Sequence, residues 1–450
     1  MNPHPILYGA SKMSIHPPIV EELRSLVDII VEASDLSSRV TMHLEKTRVN
    51  GRKILIAFGK GASSMAEGAV KALGEPDGGV IVIPKGHARP RIPNVEVIES
   101  THPIPSEKSI EAGDAVLEWA AQAGGDDSLI VLISGGGSAL VEKPLENVEL
   151  EDIIELNKLM LTSGMSILEI NTIRKHLSQI KGGRLAQKAY PTRLHGLYAS
   201  DVPGDRLDLI ASGPTVPDPS TFQDAIEYLK RWGLWNKTPK RIRETLEKGA
   251  SGLIPETPKP GNKVFERVDN KLIAANIDVL QTLAKHLQEK GYNTLILTSR
   301  IEGESREVAK ALAAIALEAR QRGIPLPPPA AILVGGETTV KVRGKGLGGR
   351  NMELALAWAL TIDYWLLDTL PPGTLGILAM DTDGIDGVTD AAGAIMYNGI
   401  TIKARREGLN PDEYLEENNT YEFARQTNLL IKTGPTGSNL NSLAIILIKQ

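Results

Sequence analysis

Four short apolar runs, Lys53 to Phe58, Val80 to Pro84, Val95 to Ile98 and Leu129 to Ile133, read as strands covered on both faces. Between them lie helical patterns. Ala62 to Leu73 and Lys108 to Ala121 repeat apolar residues at helical spacing, the second after a start signal at Pro105 and Ser106. Strand and helix alternating in this way predict a parallel α/β sheet. Arg193 to Ser200 adds a strand, followed by a Pro-, Gly- and Asp-rich loop from Asp201 to Asp218. Helical stretches at Thr221 to Trp232 and Lys240 to Lys248 lead to Ile254 to Gly261, whose prolines and glycine mark the expected domain boundary. A second α/β unit then takes strands from Lys271 to Ala275, Thr294 to Thr298, Ala331 to Val334, Leu375 to Met380 and Leu443 to Ile448. Its helices are expected at Asp278 to Lys290, Ser305 to Arg322 and Asn351 to Leu367. The prediction is two α/β domains, residues 1–255 and 256–450, with mainly parallel, Rossmann-like sheets flanked by helices and an active-site cleft between them.

Composition removes several function classes. A formal charge of −5 on 450 residues offers no basic surface for nucleic acid. No stretch approaches the ~18 apolar residues of a membrane span. The N-terminus carries no secretory pattern, and the absence of cysteine removes disulfides, thiolate metal sites and a thiol nucleophile. A cytoplasmic protein is expected, with a homodimer as the base-rate assembly.

The chemistry gathers in glycine-rich turns at strand ends. Ser134-Gly135-Gly136-Gly137-Ser138 directly follows a buried strand. Backbone N–H groups there would face a phosphate or carboxylate, a following helix N-terminus would add a favourable dipole, and the two serines would add donors. The alternative is a tight turn without a ligand. Gly59-Lys60-Gly61 takes the same place after the first strand, and Lys60 would act as a point charge on a phosphoryl group or carboxylate unless it is merely a solvated lysine. Gly335-Gly336-Glu337-Thr338 and the run from Gly344 to Asn351 form a third region, with Arg350 at a helix start, suited to bidentate anion capture. A fourth turn, Thr433 to Asn439, is as readily a plain loop.

Two acidic segments follow strands. Asp381, Asp383 and Asp386 lie among turn glycines and suit a partial Mg²⁺ site, which needs one or two carboxylates plus water and phosphates. Ordinary turn chemistry is the competing account. Asp201, at the end of the strand ending in Ser200, is a candidate base for a substrate hydroxyl or a metal-bridging carboxylate. His176 reads as a packing residue.

Taken together, Ser134 to Ala139, Arg174 to Ser178 with Lys181 to Arg184, Ser200 to Asp205 with Ser212 to Thr215, Gly335 to Thr338, Gly349 to Asn351 and Asp381 to Gly387 resemble the glycerate 2-kinases of the MOFRL type over nearly the whole chain. The resemblance implies two α/β domains and transfer of the ATP γ-phosphoryl group to the 2-hydroxyl of D-glycerate with Mg²⁺. It implies active-site roles for Lys60, Asp201 and Arg350. Substrate or phosphate binding is expected from Ser134, Gly135, Gly136, Gly137, Ser138, Lys181, Glu337 and Asn351, and metal binding from Asp381, Asp383 and Asp386. Lys60 and Arg350, each without a buried partner, would meet one anion when the domains close. An NAD(P)H-dependent hydroxypyruvate reductase is the enzymatic alternative, disfavoured because the second strand ends in Pro84 and Lys85 rather than an acidic residue. A non-catalytic sensor of a sugar acid or nucleotide is the other.

Overall fold

The computed structural model describes residues 16–366 and 369–450. Six strands, β1 (Lys53–Phe58), β2 (Gly78–Pro84), β3 (Val95–Ser100), β4 (Ser128–Ile133), β5 (Arg193–Ala199) and β6 (Val268–Ala274), form one sheet in the order β3-β2-β1-β4-β5-β6. Every pairing in it is parallel. Strands β2 and β4 are buried along their whole length, as expected of a sheet with helices on both faces. The helix Ala62–Leu73 shows why the spacing was readable: Ala62, Met65, Ala66 and Ala69 form one buried stripe. The helix Glu107–Gln122 starts where the Ser106 N–H donates to Ser109 Oγ at 3.0 Å.

The second sheet comprises β7 (Asn293–Glu304), β8 (Ala330–Thr339), β9 (Leu375–Asp381), β10 (Gly393–Tyr397), β11 (Leu430–Ile431) and β12 (Ser442–Ile448), in the order β11-β10-β9-β12-β8-β7. The α/β class holds here too, but the sheet is mixed rather than mainly parallel. Only β7 and β8 run parallel, because the chain returns through β12 in the antiparallel sense between β8 and β9. Strands β10 and β11 extend the antiparallel edge beyond β9.

The chain divides at other points than 255/256. One unit holds residues 35–275 and 437–439, the other residues 16–34, 276–436 and 440–450. The reason is pairing. The strand expected at Lys271 to Ala275 is β6, and it hydrogen-bonds to β5 of the first sheet. The Pro- and Gly-rich stretch before it is a strap: Glu256 meets His176 at 3.1 Å, and Thr257 donates to Asp218 at 3.0 Å. Conversely the helix Pro18–Ala33 belongs to the second unit, burying Ile19, Leu23, Leu26 and Ile30. Gly376 in β9 makes room for it, since a methyl group there would fall 2.9 Å from Leu23 and 3.1 Å from Ile19. The helix expected to run to Leu367 spans Arg350–Leu366, and Leu367 itself lies outside the described residues.

Leu23 is fully buried in this contact. Leu23→Ala should therefore lower the unfolding free energy of the second unit by about 2–5 kcal/mol, the cost of an unfilled core site. Urea unfolding tests this, and an unmoved transition would place the helix outside that core.

Candidate active site

In the first sheet the strand order reverses between β1 and β4, and ligands of open α/β sheets bind beyond the carboxyl ends of strands at such a switch point. Gly59-Lys60-Gly61 follows β1 and Ser134 to Ser138 follows β4, so both glycine loops emerge there. They are locked together. Ser134 Oγ accepts from the Gly61 N–H at 2.9 Å, and the Lys60 N–H donates to the Gly135 carbonyl at 2.9 Å. A methyl group at Gly59, whose φ is +124°, would fall 2.2 Å from Ser134 Oγ. Ser134 is completely buried in this junction and ties the loops instead of lining a ligand site.

Asp201 arrives from the end of β5. Its Oδ2 accepts from Asn439 Nδ2 at 2.9 Å and would lie only 1.6 Å from a methyl group at Gly135. The carboxylate thus rests on the middle of the glycine loop. Gly136, with φ at +83°, is flanked by the His102 ring at 3.2 Å and the Lys60 stem at 3.4 Å from its missing side-chain position. The Lys60 ammonium has no hydrogen-bond or ion-pair partner among the described residues and is half-buried. His102 is pushed down to about 4, first by burial of its ring against protein and then by the charges of Lys60 and Arg174. Arg174 donates to Asn157 Oδ1 at 2.9 Å. The charges acting on the neutral His102 ring beside Gly136 are therefore positive, from Lys60 and Arg174, and neither His102 nor Arg174 was given a site role from the sequence. Arg174 stood inside a motif already noted, whereas nothing local marks His102.

The rest of this cluster is structural. Ser138 Oγ shares a hydrogen bond with Ser212 Oγ at 2.8 Å, and Ser212 donates to Asn171 at 3.0 Å. Ala211 and Ser212 hold φ values of +50° and +59°, a strained pair that packs Ala211 against Gly137. The helix after Gly136 is one turn, Gly137–Leu140, so the expected helix-terminus contribution is small. Lys181, expected at the ligand, is 1% exposed and ion-paired with Glu142, out of reach of a substrate. Burial lowers its pKa and Glu142 opposes the shift.

In the second unit, Arg350 opens the helix Arg350–Leu366 and reaches Asp381 Oδ2 at 2.7 Å, Ser442 Oγ at 3.0 Å and Glu337. The arginine expected to lack a partner is thus pinned between two carboxylates, which raise its pKa against the effect of burial. Asn351 is buried and donates its side-chain amide to Asp386 at 3.2 Å and to Ser442 at 3.2 Å. Asp386 is the cap of this helix. Its two oxygens accept from the N–H groups of Asn351 at 3.1 Å and Met352 at 2.9 Å, and Gly349 lets it approach, since a methyl group there would sit 2.3 Å from its carboxyl carbon.

For the metal, the three carboxylates do not act alike. Asp386 has both oxygens engaged, and among the described residues no group of three or more acidic or histidine side chains converges as a metal cage. Asp381 and Asp383 fit a smaller role. Asp381 Oδ1 is buried without a hydrogen-bond partner, and Asp383 is half-buried, with one oxygen accepting from the Ile385 N–H at 2.9 Å. Burial raises the Asp381 pKa, with Arg350 pulling it back.

Burial also raises Asp386 from 3.8 to about 6, partly offset by the Met352 and Asn351 amides. A carboxyl whose folded pKa is raised stabilises the fold below its unfolded value and loses that contribution as pH rises through the folded value. Asp386→Asn should therefore gain on the parent protein between pH 4 and 7, by up to about 3 kcal/mol at ~1.4 kcal/mol per pKa unit. Urea titrations in EDTA at both pH values check this, and a pH-independent difference would contradict it.

Residues 330–442 match the MOFRL family, and residues 22–247 match a domain of unknown function, DUF4147. A D-glycerate 2-kinase from Thermotoga maritima is 42% identical over 401 residues, covering 88% of this chain and 91% of that protein. A glycerate 2-kinase from Pyrococcus horikoshii is 40% identical over 419 residues, covering 93% and 92%. The crystal structure of a glycerate kinase from Thermotoga maritima superposes with a TM-score of 0.85 at 40% identity, covering 96% of this chain and all of that one. With two strand-end loops locked at a switch point and this likeness along nearly its full length, the chain belongs to the glycerate 2-kinase family of the MOFRL type.

Proposed function

We propose that the protein transfers the γ-phosphoryl group of ATP to the 2-hydroxyl of D-glycerate, giving 2-phosphoglycerate and ADP. The observation that carries the reading is the pairing of an unpartnered cation with a positioned carboxylate at one glycine loop. Lys60 flanks Gly136, and Asp201 lies against Gly135. The free N–H edge of the loop at Gly136, with Lys60 beside it, suits the glycerate carboxylate. Asp201, one residue along, is then placed to accept the proton of the hydroxyl on the neighbouring carbon, which favours the 2-position over the 3-position. The alkoxide oxygen bonds to the γ-phosphorus as the bond to the bridging β–γ oxygen breaks, and ADP leaves with that oxygen.

In the second unit carboxylates outnumber cations around Arg350, with Glu337, Asp381 and Asp383 close by. A bare anion would be repelled there. A nucleotide phosphate carrying its counter-cation would not. Magnesium, where bound with ATP, would be held by Asp381 Oδ1 and Asp383, and it neutralises charge on the phosphate oxygens. ATP as donor also suits a cytoplasmic setting. The reductase alternative gains nothing from the Rossmann strand order, because β2 ends in Pro84 and Lys85 follows it, where a dinucleotide ribose needs an acidic partner.

Incubation with ATP and D-glycerate, followed by separation of 2- and 3-phosphoglycerate, tests the reaction. NADH oxidation with hydroxypyruvate and no phosphorylated product would overturn it. Lys60→Ala and Asp201→Asn should each lower kcat/KM for glycerate by on the order of 10² to 10⁴ with little change in Tm. Arg350→Ala should lose activity and also about 3 kcal/mol of stability, because it strips the buried Asp381 carboxylate of its cation. Full activity in any of the three removes that residue from the mechanism.

A further inference from the structure

The amino end of the first sheet carries a second pocket, away from the glycine loops by the length of β5, about 20 Å at ~3.3 Å per residue. His43, Lys46, Arg48, Arg193, His195 and Asp269 line it, and its volume is about 500 Å³, within the range of small-molecule sites. Arg193 opens β5, and His195 sits beside Asp269 across the β5–β6 register.

Two independent features point to a ligand. First, His195 is 3% exposed, yet neither ring nitrogen has a hydrogen-bond partner among the described residues. A buried imidazole without partners loses its hydration and receives nothing in return. Second, the charges are one-sided. Lys46, Arg48 and Arg193 have no acidic group within 4 Å among the described residues, while the single carboxylate, Asp269, is already engaged by Lys271 at 3.2 Å. Three cations around one cavity repel one another unless an anion joins them, and two arginine forks with two imidazoles match the several oxygens of a phosphate group.

We propose that this pocket is a binding site for a small phosphate-bearing anion, separate from the site of phosphoryl transfer. Arg193 and Arg48 grip the phosphate oxygens from the rim, Lys46 adds charge, and the His195 ring forms part of the floor. The cavity holds more than a lone ion, so a phosphate ester is a better fit than inorganic phosphate alone.

Histidine Cε1–H NMR on the full chain tests the site directly, with inorganic pyrophosphate as one probe and glycerol 2-phosphate as the other. Saturable shifts of His43 and His195 are expected, and tighter binding of glycerol 2-phosphate would identify an ester as the ligand class. Arg193→Glu and Lys46→Glu, both at exposed positions, should weaken each affinity at least tenfold while the His102 response at the glycine loop stays unchanged. Unresponsive His43 and His195 at concentrations that saturate His102 would show that water alone satisfies the ring and would overturn the proposal. So would an Arg193→Glu variant with unchanged affinity, or one in which all three histidines lose their response together. Because His102 reports the other site, failure here leaves the kinase reading standing, and failure of that reading leaves this test intact.

Discussion

The contact on which the first unit depends is the junction between the loops after β1 and β4. Ser134 receives the Gly61 N–H, and Lys60 gives its own N–H to Gly135, so neither loop can shift without the other. Neither partner tolerates a side chain at Gly59 or Gly135. This junction fixes the backbone on which Asp201 rests and sets where the Lys60 stem leaves the loop. A positioned carboxylate beside a positioned ammonium is what proton removal and charge stabilisation require, and here both positions follow from one backbone lock. The strained Ala211 and Ser212 belong to the same device. Their left-handed conformation costs energy, and it presses the loop after β5 onto Gly137.

The first sheet was legible because strands buried on both faces appear as uninterrupted apolar runs, and the glycines at their ends appear as glycines. Lys60, Asp201, Gly135 and Gly136 could be placed at strand ends from sequence for that reason: a strand end is a place that local pattern reveals. The second sheet was less legible. Five-residue β10 and two-residue β11 are too short to leave a period, and strand direction has no signature in a single run. The helix Pro18–Ala33 shows an apolar stripe that announces burial but not which sheet it covers. Lys181 and Asn351 were misjudged because a buried ion pair and a buried amide are properties of packing, and a motif string shows the residue without its depth.

The two polar clusters differ in their charged neighbours, and the proposed roles follow that difference. Lys60 and Arg174 act on His102 beside Gly136, and His102 is kept neutral at physiological pH by its lowered pKa. An anionic substrate gains from that field without the protein changing protonation. Around Arg350 the neighbours are acidic, and Asp381 is burdened by burial and by Asp383 and Asp386. Such a carboxylate is relieved by a cation, and its unpartnered oxygen is where relief would act. Arginine in that setting is a bracket that holds Asp381 and Glu337 in register as much as a reagent.

Glycine itself carries two meanings in this chain. Gly135 admits Asp201, Gly349 admits Asp386, Gly335 admits Asn276 and Gly196 admits Asn270, in each case with an acid or amide group closer than a methyl could bear. Room for an Asp or Asn side chain is therefore a recurrent reason for a glycine beside a strand or at a helix start here. Within the triple glycine, Gly135 is explained by Asp201 and Gly137 by Ala211 and Phe58, which removes two of the three from the anion-loop account. Gly136 remains. The neighbours of its missing side-chain position are the flexible Lys60 stem and the edge of His102, not packed backbone, and its φ of +83° is one that glycine adopts without strain. A run of three glycines in sequence thus resolves into two packing contacts that hold the loop still and one open position where a ligand can approach the backbone.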